Sequence, residues 1–370
     1  MVRVGILTSS RADFGVYLPL LRSLVNDSNF TIQIIAFGSH MSSIHGLTFR
    51  EIESSGFRVN HRIASLLTYD DAEAIGTNVG ITTMKFASFW GDHKDEFDIV
   101  LCLGDRYEMF AAVFAGIPHG IKFGHFYGGD QSLGSFDNIY RDCLTSASVI
   151  HFTSTERCAN RVKQLTGSTK VFPVGILSLE AIRSTPLLSL NEFKEIWKID
   201  LSTPTVLMTF HPETVNSEAN RHHVKVIREV IKMMGSAYQI VATMPNADTN
   251  GSLYREMLNE ISNEVKFLKV VENLGLQSYF TSLNHCKIVI GNTSSGISEA
   301  PSFGKYFINV GQRQDGREMG GNVISVPFNA QAILWAVTKV EGSPVYSGNN
   351  IYFRENSINS IKSILNDFIS

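Results

Sequence analysis

The sequence predicts an α/β protein of two Rossmann-like domains, each built on a parallel sheet. Three observations lead there. The chain has 370 residues, more than one ordinary core accommodates, so two domains of about 150–190 residues are expected. Short apolar runs alternate with longer segments of helical period, as buried parallel strands joined by helices do. Polar, charged and glycine residues gather directly after the apolar runs, where parallel sheets bind their ligands.

A first series of strands is expected at Val4–Leu7, Thr31–Phe37, Ile99–Leu103, Ile121–His125 and Val149–Thr153. A second series follows at Val171–Pro173, Thr205–Thr209, Gln239–Thr243, Val265–Val270, Ile288–Ile290 and Tyr306–Val310. Helical patterns lie between them at Val16–Val25, Met109–Ala115, His222–Met234 and Glu256–Ile261. The stretch Ser184–Pro204, with Pro186 near its start, is the candidate linker. Domains are therefore expected at 1–183 and 184–355, with residues 356–370 holding a last helix, Ser357–Ile369, placed to pack back across the hinge.

Composition narrows the function classes. The chain is 44% apolar and 18% charged, with 32 basic and 35 acidic residues for a net charge of −3. No Lys/Arg run offers a nucleic-acid or anionic-membrane surface. An anion must then be met by a few placed groups. No apolar run reaches the roughly 20 residues of a membrane span, and Val2–Leu7 reads as a strand, not as part of a secretory signal. Cys102, Cys143, Cys158 and Cys286 lie far apart without metal-ligand spacing, so they are expected to be free buried thiols in a reducing, cytoplasmic setting.

Each expected strand end carries its own chemistry. After the first comes Thr8-Ser9-Ser10-Arg11-Ala12-Asp13-Phe14-Gly15. Hydroxyls, Arg11 and the free N–H groups of a helix start suit an anion; capping explains Ser9, Ser10 and Asp13 but not Arg11. No GxGxxG is present, so a dinucleotide fingerprint is not supported. After Ile99–Leu103 comes Gly104-Asp105-Arg106-Tyr107-Glu108, which puts Asp105 at a strand end as either a helix cap or an acid or base. After Ile121–His125 comes Phe126-Tyr127-Gly128-Gly129-Asp130, then Asp137 and Arg141. The glycines permit close backbone approach. Asp137 and Arg141 share a helix face, either as a surface ion pair or as a group converging with His125 and Asp130.

In the second half, Thr209-Phe210-His211-Pro212 places His211 where it meets a phosphate or transfers a proton. Thr243-Met244-Pro245-Asn246-Ala247-Asp248 is a similar strand-end turn. The strongest local pattern runs from Gly291 through Asn292, Thr293, Ser294, Ser295 and Gly296 to Glu299 and Pro301, opening a helix that ends near Phe303-Gly304. Backbone N–H groups, hydroxyls and the helix dipole would cradle one phosphate, and Glu299, about a turn further, can accept from ribose hydroxyls. This is not a P-loop, because Gly-Lys-Ser/Thr is missing. Arg313 and Arg317 add cations after the next strand, or form a solvated basic face.

Taken in order and spacing, these segments resemble the hydrolysing UDP-N-acetylglucosamine 2-epimerases, especially the branch of the sialic-acid and legionaminic-acid pathways. The resemblance runs through nearly the whole chain. It implies a GT-B-like fold, two Rossmann-like domains whose parallel sheets face a cleft holding UDP. It implies that Ser294, Ser295, Gly296, Arg11 and His211 hold the diphosphate and that Glu299 binds the ribose. Asp105, Asp137 and Arg141 would face the sugar, with Asp130, Tyr127 and Asn246 beside them, and Asp105, Asp130, Asp137 and His211 as candidates for proton transfer. Two places depart from the family pattern. Tyr127 stands where several members carry a catalytic Glu, and Arg141-Asp142 where an Arg-His pair is common.

The implied reaction follows from chemistry. UDP leaves C1 as the C2 proton is removed, giving a glycal; water adds at C1 and a proton returns to the opposite face of C2. From UDP-N-acetylglucosamine or UDP-N,N'-diacetylbacillosamine the products are UDP and a free 2-epimeric sugar of the N-acetylmannosamine type. A base, a proton donor and groups that neutralise departing UDP suffice, so no metal or other cofactor is expected. The resemblance further implies a homo-oligomer, a dimer or a tetramer. The alternatives are a retaining GT-B glycosyltransferase and a catalytically altered nucleotide-sugar binding protein.

Overall fold

A computed structural model describes residues 1–369 apart from 45, 68, 70 and 246–249. The chain divides into two compact units, one of residues 1–130, 137–181 and 352–370, the other of residues 131–136 and 182–351.

The first unit runs β1 (Val2–Thr8), α1 (Arg11–Val25), β2 (Phe30–Phe37), α2 (Phe49–Ser54), β3 (Val59–Ile63), α3 (Ala72–His93), β4 (Ile99–Leu103), α4 (Tyr107–Gly116), β5 (Phe123–Phe126), α5 (Asp137–Ala147), β6 (Ile150–Thr153), α6 (Glu156–Thr166), β7 (Val171–Pro173) and α7 (Leu177–Ser184). Its seven strands lie in the order β3-β2-β1-β4-β5-β6-β7, and every pairing is parallel. The second unit runs α8 (Leu190–Trp197), β8 (Thr205–Thr209), α9 (Asn220–Met234), β9 (Gln239–Thr243), α10 (Gly251–Glu264), β10 (Leu268–Val271), α11 (Gly275–His285), β11 (Ile288–Gly291), α12 (Ser294–Ser298), β12 (Phe307–Val310), β13 (Val323–Val326) and α13 (Ala330–Glu341). Its order is β10-β9-β8-β11-β12-β13, again all parallel. Both units are thus Rossmann-like, with the strand order reversing between β1 and β4 and between β8 and β11.

The central strands are buried along their length, as β4 and β8 are, because helices cover both faces of a parallel sheet. That is why they read as unbroken apolar runs. Two strands escaped the sequence reading, β3 and β13, both at sheet edges. In β3, Asn60 and Arg62 are exposed and only Val59 is buried, so no apolar run marks it. Val171–Pro173, expected to open the second series, instead closes the first sheet by pairing with β6. The helix expected to run to Phe303 stops at Ser298 and resumes as a 3-10 turn, Ala300–Phe303, that contains Pro301; proline lacks the N–H a continuing helix needs.

Helix α14 (Ser357–Ile369) returns to the first unit. Ile361 and Leu365 enter the apolar cluster formed by α1 and the strands. Lys362 pairs with Asp27 at 2.6 Å, and Ile176 N–H donates to the Tyr352 carbonyl at 3.0 Å. No helix among the described residues is long and apolar enough to cross a membrane. The four cysteines are free, but Cys143, expected inside, is exposed on α5.

Leu365 has no exposed surface. Leu365→Ala is expected to cost about 2–5 kcal/mol, the range for deleting a buried leucine side chain, measured as a fall in the urea midpoint at unchanged slope. A cost below about 0.5 kcal/mol would mean that α14 does not contribute to this core.

Candidate active site

In open parallel sheets ligands bind beyond the strand carboxyl ends, where the strand order reverses. In the first unit that place is flanked by the residues after β1 and β4. Ser10 caps α1, accepting from the Asp13 N–H at 3.4 Å. Asp13 is buried and accepts from Ser9 N–H at 2.8 Å and from the Ser9 hydroxyl at 2.6 Å. Burial pushes its carboxyl above the usual range, against the opposing pull of the Ser9 hydrogen bonds. Asp13 therefore shapes the loop. Arg11, the first residue of α1, is partly exposed and pairs with Glu51 at 3.2 Å.

Asp105 follows β4, and its carboxylate is ion-paired with Arg141 of α5. The Arg141 side chain is almost wholly buried, whereas that of Asp105 is about a quarter exposed. The same guanidinium donates to the Asp130 carbonyl at 3.0 Å. One buried cation thus ties together the segments after β4 and β5 and the first turns of α5. Asp137 opens that helix one turn before Arg141. The Asp130 carboxylate is buried, accepting from the Cys158 thiol at 3.2 Å.

His125 lies in the layer beneath. Its Nε2 is 2.8 Å from the Gly104 carbonyl, a pure acceptor, so the proton sits on Nε2 and Nδ1 faces the Thr145 hydroxyl at 3.1 Å. Burial drives its pKa down to about 3, with Arg141 acting in the same direction. His125 is a neutral strut below the carboxylates. The glycines above it are obligatory. A Cβ on Gly128 would lie 2.7 Å from the Thr145 hydroxyl, and Gly129 has φ +83° against the Cys158 carbonyl.

Tyr127 has φ +67°, an uncommon conformation for a bulky residue. Its hydroxyl accepts from the Leu177 N–H at the start of α7, 2.9 Å away, and its ring meets Phe126 edge-on. The side chain ties α7 to the end of β5. Asp142, the residue after Arg141, makes a two-bond pair with Arg161, 2.7 Å each.

In the second unit the order reverses between β8 and β11. The Asn292 side chain joins the two strand ends, accepting from His211 N–H at 2.7 Å and donating to the His211 carbonyl at 2.8 Å. His211 is buried. Thr293 caps α12. Ser295 donates to Glu299 and lies 2.6 Å from the Tyr279 hydroxyl. A side chain on Gly296 would collide with the Phe307 ring. Arg313 donates to the Pro212 carbonyl at 3.3 Å, so it lies beside the His211 turn. Arg317 is in the same irregular loop, its N–H donating to Gln314. The turn spanning 311–317 is not helical, and the four-residue spacing of the arginines carries no common helix face. Asn246, Ala247 and Asp248 lie outside the described residues.

The family model described as UDP-N-acetylglucosamine 2-epimerase matches residues 22–366. The chain belongs to this family. It is 32% identical to the Campylobacter jejuni GDP/UDP-N,N'-diacetylbacillosamine 2-epimerase (hydrolyzing) over 329 residues, 88% of this chain and 85% of that protein. It is 28% identical to the Legionella pneumophila UDP-N,N'-diacetylbacillosamine 2-epimerase (hydrolyzing) over 347 residues, covering 94% and 90%. Among solved structures, the Neisseria meningitidis UDP-GlcNAc 2-epimerase bound to UDP-GlcNAc superposes with a TM-score of 0.81 at 17% identity, covering 99% of this chain and 100% of that one. The Methanocaldococcus jannaschii UDP-GlcNAc 2-epimerase in complex with UDP-GlcNAc and UDP gives 0.79 at 17% identity, covering 99% and 100%. These structures share the fold of two Rossmann-like units.

Two residues of this 2-epimerase family member escaped the sequence reading. Glu213, just beyond His211, accepts from the N–H groups of Gln312 and Arg313 at 2.6 and 3.1 Å, setting the turn that carries Arg313. Burial pushes its carboxyl up, opposed by those N–H groups. His40 bridges Thr8 at 2.9 Å and Thr48 at 2.7 Å beneath the α1 start, and burial lowers it to about 4. Glu213 stands two residues after the His211 that the sequence singled out, which was the available signal; nothing local marks His40.

His125, and with it His40 and His151, titrates far below the usual 6.5 because of burial. The unfolded chain takes up these protons near pH 6.5 and the folded chain does not until about pH 3–4, so their stability contribution is complete above pH 6.5 and declines as pH falls. Urea midpoints are expected to drop between pH 7.5 and pH 5, with a shallower drop in His125→Asn. Equal slopes for the two proteins would show that His125 is not held neutral.

Proposed function

We propose that this chain is a hydrolysing 2-epimerase of a UDP-linked 2-acetamido sugar, acting in the cytoplasm as a homo-oligomer. The observation that carries the reading is the Asp105–Arg141 pair at the reversal point of the first sheet, with Asp137 opening the helix that bears Arg141. A buried guanidinium fixes the position of a partly exposed carboxylate, and a second carboxylate stands one turn away. Two positioned carboxyl groups are what proton removal and return at C2 require.

In the proposed cycle Asp105 and Asp137 divide the roles of base and acid. One takes the C2 proton while the C1–O bond to UDP breaks, giving the glycal and UDP. Water then adds at C1, its oxygen to carbon and its proton to solvent or a carboxylate, and the other carboxyl group delivers a proton to the opposite face of C2. Asp130 acts through the carbonyl that holds Arg141. Tyr127, its hydroxyl fixed by Leu177, lines the sugar side and leaves proton transfer to the aspartates. Ser294, Ser295, Gly296 and His211 meet the diphosphate, Arg313, Arg317 and Arg11 supply positive charge, and Glu299 takes the ribose. Asn246 belongs to the same assignment. Positive and N–H groups aimed at the leaving diphosphate lower the barrier to its departure, so this scheme calls for no cofactor. The names of the Campylobacter and Legionella relatives support UDP-N,N'-diacetylbacillosamine as substrate, alongside UDP-N-acetylglucosamine.

Incubation of each nucleotide sugar with the protein in deuterated water, followed by NMR, is expected to give UDP and a free 2-epimer carrying deuterium at C2. Nucleotide sugar epimerised without UDP release, or transfer of the sugar to an acceptor, would overturn the hydrolytic scheme. Asp105→Asn and Asp137→Asn are expected to retain UDP affinity while kcat falls roughly 100-fold or more, the usual scale for loss of an acid or base. Near-normal turnover in both would refute the assignment. Ser295→Trp is expected to weaken UDP binding at least tenfold by calorimetry; unchanged affinity would move the nucleotide elsewhere.

A further inference from the structure

A second cluster of chemistry-bearing side chains lies in the first unit, apart from the strand ends just described. His61 projects from edge strand β3, His93 is the last residue of α3, and Glu96 closes the 3-10 turn Lys94–Glu96 that follows. One donor atom from each residue lies within 4.8 Å of the others. His93 Nδ1 is 2.6 Å from Glu96 Oε1, and His61 Nε2 is 3.9 Å from Glu96 Oε2. We propose that His61, His93 and Glu96 form a binding site for a divalent transition-metal ion of the zinc class.

The donor set selects the ion. Two imidazoles and one carboxylate suit zinc, cobalt, nickel or copper and disfavour magnesium and calcium, which take oxygen donors. In a tetrahedral site with bonds of about 2.0–2.1 Å, neighbouring donors lie roughly 3.4 Å apart. The 2.6 and 3.9 Å separations bracket that value, so small side-chain rotations would close the three donors on one ion. The Gln33 side-chain oxygen lies 3.0 Å from His61 Nε2, close enough to serve as a fourth donor or to hold a metal-bound water. The cluster is also preorganised. Both imidazoles pack on the Phe89 ring, with centroids 4.9 Å from His61 and 4.7 Å from His93. The turn itself is anchored to β1, because Arg3 donates to the Asp95 carbonyl at 2.6 Å and pairs with Asp98 at 2.6 Å.

The position separates this site from the reaction. Lys94–Glu96 precedes β4, whereas Asp105 follows it. The two are divided by the length of the strand, roughly 16 Å at about 3.3 Å per residue. The bound ion therefore acts as a clamp. It joins β3, which pairs on one side only with β2, to the end of the longest helix and the turn into the central strand β4. A ligand that binds only the folded chain stabilises it by mass action.

Chelator-stripped protein titrated with zinc by calorimetry is expected to bind one ion. Thermal unfolding should shift upward by several degrees at saturating zinc and not at equal magnesium or calcium. Cobalt should give the visible absorption of a four-coordinate nitrogen–oxygen site. Glu96→Gln and His93→Gln, both at partly exposed positions, are expected to lower affinity at least tenfold and to abolish the cobalt band while circular dichroism and UDP-sugar turnover stay unchanged. His61→Asn is a third variant, and if lost packing on Phe89 unfolds it, the other two carry the test. Absence of stoichiometric zinc binding overturns the proposal. Unchanged binding in both Glu96→Gln and His93→Gln also overturns it, because the ion would then sit elsewhere on the protein.

Discussion

Parallel pairing is the constraint on which everything else in this protein depends. Both sheets are parallel throughout, so every strand of a unit ends on the same edge. Helices must cover both faces to bury the apolar side chains, which leaves the strand ends as the place where polar groups collect without an apolar lid. Asp105, Asp130 and Arg141 gather at one such edge, and His211, Asn292 and Ser295 at the other. The reversal of strand order opens a crevice at each. These polar groups are therefore confined to short loops on a rigid frame.

Within the first unit the frame is locked by Arg141. Burying a guanidinium is costly unless its charge is paired and its N–H groups are satisfied. Asp105 meets the charge, and the Asp130 carbonyl takes a further hydrogen bond. Beneath it, His125 is neutral because burial beside that cation makes a second positive charge prohibitive. The carboxylate that would do the chemistry and the arginine that places it are thus one electrostatic unit. The second unit solves the matching problem with an amide and a carboxyl group. The Asn292 amide and the buried Glu213 carboxyl group hold the backbone of the His211 and Arg313 turns, leaving Ser295 of α12 to form a local chain with Tyr279 of α11 and Glu299.

Tyr127 and Asp142 acquire physical meaning in this setting. Tyr127 occupies a left-handed backbone position and spends its hydroxyl on the α7 start, so its side chain supports the neighbouring helix. Asp142 pairs with Arg161 of α6, on the same helix as Arg141 but engaged with a different partner.

The sequence by itself determined the central strands and some of the helices between them, such as Val16–Val25 within α1 and His222–Met234 within α9, but not α3, α6, α11 or α13. A strand buried on both faces must be apolar along its length, and Ile99–Leu103 and Thr205–Thr209 were legible with their observed bounds for that reason. Of the edge strands, β3 and β13 were not legible: in β3 the polar residues between Val59 and Ile63 hide it from any apolar pattern. Membership of Val171–Pro173 in the first sheet was equally invisible, because pairing partners are set by long-range packing and not by local period. The same division holds for the site. Asp105, His211 and Ser295 stood out because polar residues directly after an apolar strand are a local signature, and Arg141 because it shares a helix face with Asp137. Only tertiary structure decided that Arg141 is buried and bound to a residue 36 positions earlier, that Tyr127 is fastened to α7, and that Glu213 and His40 serve as supports. Burial and long-range hydrogen bonds are properties of the folded neighbourhood, and no spacing along the chain encodes them.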